Sequence, residues 1–191
     1  MSFASQVKGE LCREKVSRPC CARAEAYGIL LFCNSFTPQR LRVTTRSAEF
    51  AQRLPKLFKN AFSAEFDVRP ADTSTGGRLR FEGTDPKKME RILENYGYAR
   101  ENSISHHINY AVLEEECCRS AFLRGAFLAG GSVTNPEKRY HLELATSHLY
   151  VHRELQSLLM DMGFEPKTVS RNNNYVTYIK RSEAIADFLT T

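Results

Sequence analysis

Thiol and imidazole side chains are the residue types in this chain that bind metal ions or form disulfides. Four of the six cysteines form two adjacent pairs, Cys20-Cys21 and Cys117-Cys118. Neither pair has the Cys-x-x-Cys spacing of a zinc site, and the N-terminal residues show no secretion signal that would imply an oxidising compartment. The cysteines are therefore predicted to be reduced, small, buried apolar residues.

Two histidines, His148 and His152, have the four-residue spacing of metal ligands on a helix. Because no third ligand accompanies them in the sequence, we expect them on a solvated helix face. The glycine pairs Gly76-Gly77 and Gly130-Gly131 are too short to form a phosphate loop, and no Ser-His-Asp arrangement occurs. The sequence predicts no metal, no cofactor and no enzyme.

Charge is the second chemical feature of the chain. It has 27 Lys and Arg against 22 Asp and Glu, for a net charge of +5. Residues 1–97 hold 17 basic and 11 acidic residues, whereas residues 98–191 hold 10 and 11. A basic excess is typical of proteins that bind nucleic acid, although many other proteins carry one of this size. The hydrophobic content of 42%, with no run long enough to span a membrane, predicts a folded cytoplasmic protein.

A repeat organises the elements that must position these residues. Residues 20–36 return 97 positions later as residues 117–133, with both cysteines, an alanine, a glycine, a leucine and a serine in register. The strand and helix that follow also correspond. The chain is therefore predicted to hold two copies of one unit, residues 1–97 and 98–191, in one compact pseudo-dimeric domain.

Hydrophobic periodicity predicts the order helix, strand, helix, strand, strand, helix in each unit, after a first helix on 2–14. In the first unit the elements are expected near 20–35, 40–45, 47–61, 65–70, 78–82 and 86–97, with Ser47 as a helix N-cap and a turn at 75–77. In the second unit they are expected near 117–131, 139–146 and 148–162, then as two strands around a hairpin turn at 171–174 and a helix from Ser182. A fourth strand is left open, near 35–42 or 104–112, and residues 98–114 form a connector. The pattern predicts an α+β fold with helices on one face of antiparallel sheets.

The repeated helix has a glycine at its middle in both units, at Gly28 and Gly125. Glycine inside a helix costs roughly 1 kcal/mol relative to alanine, but its missing Cβ lets another backbone approach closely. Two equivalent glycines favour a contact between the two helices about a pseudo-twofold axis.

The segment 123–133, with the sequence LRGAFLAGGSV, resembles the helix motif of the LAGLIDADG homing endonucleases in a degenerate form, and residues 26–36 match it in the first unit. The opening SFASQVKGEL, the cysteine-containing segments and the tracts YHLEL and IADFL are similar to the WhiA family of bacterial transcriptional regulators, over essentially the whole chain. The resemblance implies tandem LAGLIDADG-like units about paired helices, with the sheets forming a saddle. It also implies a nucleoid-associated role in sporulation or cell division and a C-terminal helix-turn-helix domain. Since nothing in this chain has the pattern of a recognition helix, we expect a fragment without that domain.

Nucleases of the LAGLIDADG type need an acidic residue near the C-terminal end of each paired helix, where two carboxylates hold divalent metal ions. Carried onto this sequence, those positions fall on Cys33 and Gly130, and the accessory acidic positions fall on Leu31 and Leu128. Because none of these is a carboxylate, we expect no nuclease activity. An active homing endonuclease is the least favoured alternative.

The favoured hypothesis is that one face of the sheets binds double-stranded DNA. If Leu41 and Val43 pack under the helices, alternation along the strand places basic side chains on the opposite face. The DNA-binding candidates are Arg40, Arg42, Arg69, Arg78, Arg80, Arg139, His141, Lys167, Arg171 and Lys180. Phosphate contacts of this kind give modest, salt-dependent affinity, and the first unit is expected to dominate.

A different class of function stays open beside this accessory DNA-binding or regulatory role. The duplicated domain would then be a scaffold that binds another transcription regulator or a small ligand, and that modulates the helix-turn-helix domain. Because the duplication already supplies two units, we expect a monomer with no membrane partner.

Overall fold

Seven helices and seven strands run through the residues that the computed structural model describes, which are 2–16, 18–74, 77–98 and 105–191. The helices are α1 (Phe3–Leu11), α2 (Pro19–Phe32), α3 (Ala48–Phe62), α4 (Pro86–Glu94), α5 (Glu116–Gly130), α6 (Leu149–Asp161) and α7 (Ser182–Thr190). The strands are β1 (Ser35–Thr37), β2 (Arg40–Thr45), β3 (Leu79–Gly83), β4 (Gly131–Val133), β5 (Leu142–Thr146), β6 (Lys167–Arg171) and β7 (Asn174–Ile179). A 3-10 turn covers Tyr110–Leu113.

Short polar side chains begin several of the helices. Ser2, Ser47 and Asp85 each accept a hydrogen bond from a backbone N–H in the first turn of α1, α3 and α4, respectively. These bonds satisfy donors that have no partner inside a helix. The predicted N-cap at Ser47 is confirmed. Pro86 follows the Asp85 cap, where proline costs no helical hydrogen bond.

Each unit forms an antiparallel sheet, with strand order β1-β2-β3 in the first and β4-β5-β7-β6 in the second. Leu41 and Val43 of β2 are buried, whereas Arg40 and Arg42 remain partly exposed, so the predicted alternation is confirmed. On their apolar sides, β2 contacts α2 and α3, and β5 contacts α2, α5 and α6. The α+β class, with helices on one face of antiparallel sheets, is also confirmed.

Two strand predictions need correction. The strand expected near 65–70 is reduced to a single bridge, in which Val68 pairs with Glu82. The fourth strand that was left open lies at Ser35–Thr37, and its equivalent in the second unit is Gly131–Val133. Three residues are too short for alternation to be visible in a sequence. Of the connector, residues 105–109 have no regular structure and 99–104 lie outside the described residues, as do two residues of the predicted turn at 75–77.

The hairpin predicted at 171–174 is confirmed between β6 and β7. Asn172 and Asn173 have positive φ angles of 51° and 61°. Asparagine tolerates this left-handed conformation, and two such residues in succession make a turn whose twist suits a β-hairpin.

The repeated helices α2 and α5 lie at the centre of the molecule and touch through their backbones. A Cβ at Gly28 would lie 2.1 Å from the Phe122 carbonyl oxygen, and a Cβ at Gly125 would lie 2.0 Å from the Glu25 carbonyl oxygen. Phe122 is the repeat equivalent of Glu25, so the two contacts are reciprocal. Reciprocal contacts between equivalent residues are what a pseudo-twofold axis through the helix pair requires.

A buried ion pair joins the two units beside this contact. Glu25 on α2 has no exposed surface. It accepts hydrogen bonds from Arg53 of α3 at 2.6 Å and 2.8 Å and from Arg124 of α5 at 3.1 Å. In the described part of the chain, no helix has the length and apolar character that crossing a membrane requires.

Candidate nucleic-acid interface

Three arginines of the first sheet converge on one carboxylate. The register of β2 and β3 places Arg42 opposite Glu82, with Arg40 and Arg80 two residues away along their strands. Glu82 Oε1 lies 2.5 Å from Arg40 Nη2, 2.6 Å from Arg42 Nε and 2.7 Å from Arg80 Nη2. We call these four residues, on the side of the sheet away from the helices, the first outer face.

Electrostatics keep Glu82 ionised on this face. Burial raises the pKa of its carboxyl, but hydrogen bonds from the three guanidinium groups outweigh burial and lower the pKa to about 2. The side chain of Glu82 is only 6% exposed, whereas those of Arg40, Arg42 and Arg80 are 39%, 33% and 52% exposed. One negative charge therefore fixes three guanidinium groups, and the face stays positive toward solvent.

The two remaining DNA-binding candidates of the first unit, Arg78 and Arg69, lie in different places. Arg78 is exposed immediately before β3, two residues from Arg80. Arg69 does not join the first outer face. Because Val68 pairs with Glu82 and shares its side of the sheet, alternation turns Arg69 to the other side, where it lines a cavity with Gln52 and Pro55 of α3.

A second cluster forms around Glu143 of β5. Its carboxylate lies 3.0 Å from Arg171 Nη2 and 2.9 Å from His141 Nε2. Burial raises the pKa of Glu143, but its hydrogen bonds to His141 and Arg171 outweigh burial and lower the pKa. The arrangement repeats that of Glu82, with an ionised carboxylate holding basic side chains at the surface.

Strand register extends this cluster across the second sheet. Tyr178 of β7 lies opposite Glu143 on one side and Lys167 on the other. The Tyr178 ring stacks on the His141 ring with centroids 5.4 Å apart, and Lys180 Nζ lies 5.4 Å above it. The second outer face is defined by His141, Glu143, Lys167, Arg171, Tyr178 and Lys180.

A cavity of about 420 Å³ opens beside the second outer face. Arg139, in the turn that connects β4 to β5, lines it together with His141, Arg171 and Lys180. Among the predicted candidates, each unit therefore presents four Lys or Arg side chains near one central carboxylate, once Arg69 is set aside. This balance gives no support to the expectation that the first unit dominates.

Strand alternation in the sequence already places Glu143 on the exposed face with Arg139 and His141, but sequence reasoning missed Glu82 and Tyr178. Glu82 shares the alternation phase of Arg78 and Arg80, and that phase was the available signal. Tyr178 gave no such signal, because its position between His141 and Lys167 depends on the pairing of three strands.

The positions aligned with nuclease acids lie at the ends of the paired helices. The Cys33 thiol donates to the carbonyl oxygens of Leu30 and Ser35, and burial raises its pKa to about 12. A Cβ at Gly130 would lie 2.6 Å from the Ala145 carbonyl oxygen, so this end of α5 has no room for a carboxylate side chain. These two positions offer neither the charge nor the oxygen ligands that Mg²⁺ requires.

The two histidines with ligand spacing do not form a site. His148 occupies the N-cap position of α6 without a side-chain capping hydrogen bond, and its ring stacks on that of His106 with centroids 3.9 Å apart. His152 is buried, with Nδ1 3.0 Å from Thr177 Oγ1. The predicted solvated helix face is wrong, because both rings are packed against other aromatic or polar groups. The cysteine pairs also differ from expectation, since the first turns of α2 and α5 bring all four thiols together.

Comparison with known proteins finds matches over the whole chain. A family model described as the WhiA LAGLIDADG-like domain matches residues 119–191. The probable cell division protein WhiA of Ruminiclostridium cellulolyticum is 34% identical over 196 residues, covering 99% of this chain and 63% of that protein. The chain thus spans a little under two thirds of the length of this curated relative.

Solved structures share the fold. The N-terminal LAGLIDADG domain of DUF199/WhiA superposes with a TM-score of 0.75 at 20% identity, covering 99% of this chain and 91% of that one. The structure of I-DmoI in complex with DNA and Mn superposes with a TM-score of 0.59 at 12% identity, covering 91% of this chain and 94% of that one. At these identities the superpositions establish the LAGLIDADG homing-endonuclease-like fold.

Proposed function

Since the chain belongs to the WhiA family, we propose that it is a non-catalytic, DNA-contacting part of a bacterial transcriptional regulator of cell division or sporulation. The observation that carries the proposal is the pair of basic outer faces, each with guanidinium or ammonium groups around one ionised carboxylate. Such groups bind the phosphate backbone without selecting a base sequence. The I-DmoI structure, which has the same fold, is a complex with DNA.

Two matched pairs of substitutions test the faces. Arg78→Gln with Arg80→Gln removes two charges from the first unit and leaves Arg40 and Arg42 on Glu82. Lys167→Gln with Lys180→Gln removes two from the second. We expect each double variant to weaken duplex binding and to reduce the slope of log K against log salt by up to about 1.8, since each phosphate contact contributes about 0.9. Fluorescence anisotropy over a salt series measures both.

Lys59 on α3 and Arg153 on α6 provide the control, because both are exposed basic residues on the helix layer. The variant Lys59→Gln with Arg153→Gln removes the same charge and is expected to keep the wild-type slope. If all three double variants lose the same affinity for duplex DNA, the loss reflects the lower net charge and not a contact with either outer face. Absence of binding by the wild-type chain, even at low salt, would favour the scaffold function instead.

The non-catalytic part of the proposal rests on Cys33 and Gly130, where the fold's nucleases need carboxylates. We expect supercoiled plasmid to remain intact with Mg²⁺ or Mn²⁺ under conditions in which the protein binds DNA. Cleavage that co-purifies with the protein and stops on addition of EDTA would contradict this part alone, because DNA binding is measured separately.

A further inference from the structure

The four thiols of the two cysteine pairs meet at one end of the central helix pair. Cys20 and Cys21 lie in the first turn of α2, and Cys117 and Cys118 lie in the first turn of α5. Their four Sγ atoms all lie within 4.8 Å of one another. Because the repeat offset maps one pair onto the other, the pseudo-twofold axis that brings the glycines together also assembles the cluster.

The spacing of the sulfur atoms suits one metal ion. In a tetrahedral site with metal–sulfur bonds of about 2.3 Å, the sulfur atoms are about 3.8 Å apart. The four Sγ atoms would therefore move together by no more than about 1 Å, which small side-chain rotations can supply. An iron–sulfur cluster places several iron and sulfide atoms between the cysteines, and so requires them to be farther apart.

All four thiols are free, and their burial differs. Cys118 is buried, whereas Cys20, Cys21 and Cys117 are partly exposed, so an ion can reach the cluster from solvent. A disulfide would need two of the sulfur atoms to approach to about 2.05 Å. A single tetrahedral ion takes all four sulfur atoms as ligands at a separation closer to the one observed.

Charges of both signs lie near the cluster. The four cysteines lie in the first turns of α2 and α5, at the positive ends of the two helix dipoles, and Glu116 in the first turn of α5 adds a negative charge. Arg18 Nη1 lies 3.7 Å from Cys117 Sγ. Metal binding displaces the thiol protons, so the site does not require the thiols to be ionised beforehand.

We propose that Cys20, Cys21, Cys117 and Cys118 form a binding site for one Zn²⁺ ion. Four sulfur ligands in tetrahedral arrangement select zinc among the divalent ions that proteins commonly bind, and four protein ligands make the site structural. The ion binds the first turn of α2 and the first turn of α5, and so cross-links the two units. The site has two ligands from each unit, so either unit alone holds only half of it.

Metal titration of the reduced, metal-stripped chain tests the proposal. We expect one equivalent of Co²⁺ to give the absorption of a tetrahedral tetrathiolate complex, and one equivalent of Zn²⁺ to displace it. The double variant Cys20→Ser with Cys117→Ser should bind Zn²⁺ at least about 100-fold more weakly. Cys12→Ser, which changes a thiol outside the cluster, should bind like the wild type.

A measurement on the wild-type chain keeps the test independent of how the variants fold. Alkylation followed by mass spectrometry should find Cys20, Cys21 and Cys117, the three partly exposed thiols of the cluster, protected when Zn²⁺ is bound and modified after it is removed. The proposal is overturned if the folded, reduced chain binds no stoichiometric Zn²⁺ or Co²⁺. It is equally overturned if binding survives in the double cluster variant, or if the protected cysteines lie outside the cluster.

Discussion

Replacing Gly28 by alanine would force a methyl group into the backbone contact between α2 and α5. The new Cβ would lie 2.1 Å from the Phe122 carbonyl oxygen and 2.7 Å from the Ala126 nitrogen. Ordinary contact begins at 3.4 Å. Because both opposing atoms belong to a helix backbone and cannot rotate away, the helices must separate by roughly 1 Å or more in a densely packed core.

The cost follows from this separation. Overpacking a core costs about 1–3 kcal/mol, and a clash with backbone belongs at the upper end, so we expect Gly28→Ala to lower the free energy of unfolding by about 3 kcal/mol. For a chain of this size, that corresponds to a fall in melting temperature of roughly 6–12 °C. Gly125→Ala should behave alike, since its Cβ would lie 2.0 Å from the Glu25 carbonyl oxygen. The double variant should cost less than the sum, because one separation relieves both clashes.

Gly9→Ala is the matched control. Gly9 also lies within a helix, but a Cβ there would meet only the Glu49 side chain, at 3.6 Å. This change should raise the free energy of unfolding by up to about 1 kcal/mol, through helix propensity. Urea unfolding followed by circular dichroism gives both values. If Gly28→Ala and Gly125→Ala prove as harmless as Gly9→Ala, the close helix contact at the pseudo-twofold axis is wrong.

Three further predictions concern charged groups. Glu25→Ala leaves Arg53 and Arg124 partly buried without their carboxylate and should lower the free energy of unfolding by about 3–5 kcal/mol; a loss under 1 kcal/mol in urea unfolding would contradict the ion pair's role. Burial, together with the charge of His106, lowers the pKa of His148 to about 4. Between about pH 6.5 and 4 the unfolded chain therefore binds more protons than the folded chain, and the free energy of unfolding falls as the pH drops, by at most about 1.4 kcal/mol per pH unit. His148→Phe should reduce this slope, and an unchanged slope would refute the assignment. Glu82→Gln should tighten duplex binding at low salt by roughly 2–10-fold, because it removes the counter-charge from the first outer face; weaker binding by a folded variant would count against that face.

Local features of the fold were accessible from the sequence, because each depends on residues close together in the chain. The cap at Ser47, the asparagine turn of the second hairpin and the alternation of β2 follow from short-range stereochemistry. The glycines at 28 and 125 predicted a long-range contact because duplication showed the same costly residue twice. The strand predicted at 65–70 was wrong because this segment pairs with β3 through a single bridge at Val68, which its composition does not reveal.

The candidate site was less accessible, because it depends on which strands and helices become neighbours. Strand alternation placed Arg40, Arg42 and Arg80 on the face away from the core, but it could not show that all three meet on Glu82. The cysteine cluster was missed for the same reason. Each pair lacks the spacing of a zinc motif, and only the pairing of α2 with α5 makes four sulfur ligands out of two adjacent pairs.

Site-specific photocrosslinking identifies directly whether the outer faces of the sheets contact DNA. Val169 on β6 is 46% exposed and points to the same side of the sheet as Lys167, which pairs with Tyr178 of β7, so a photoreactive phenylalanine analogue there lies on the second outer face. Met160 on α6 is 58% exposed, so the same analogue there lies on the helix layer. We expect crosslinks to duplex DNA from position 169 and none above background from position 160. Crosslinking from position 160 alone, or equally from both, would contradict this expectation.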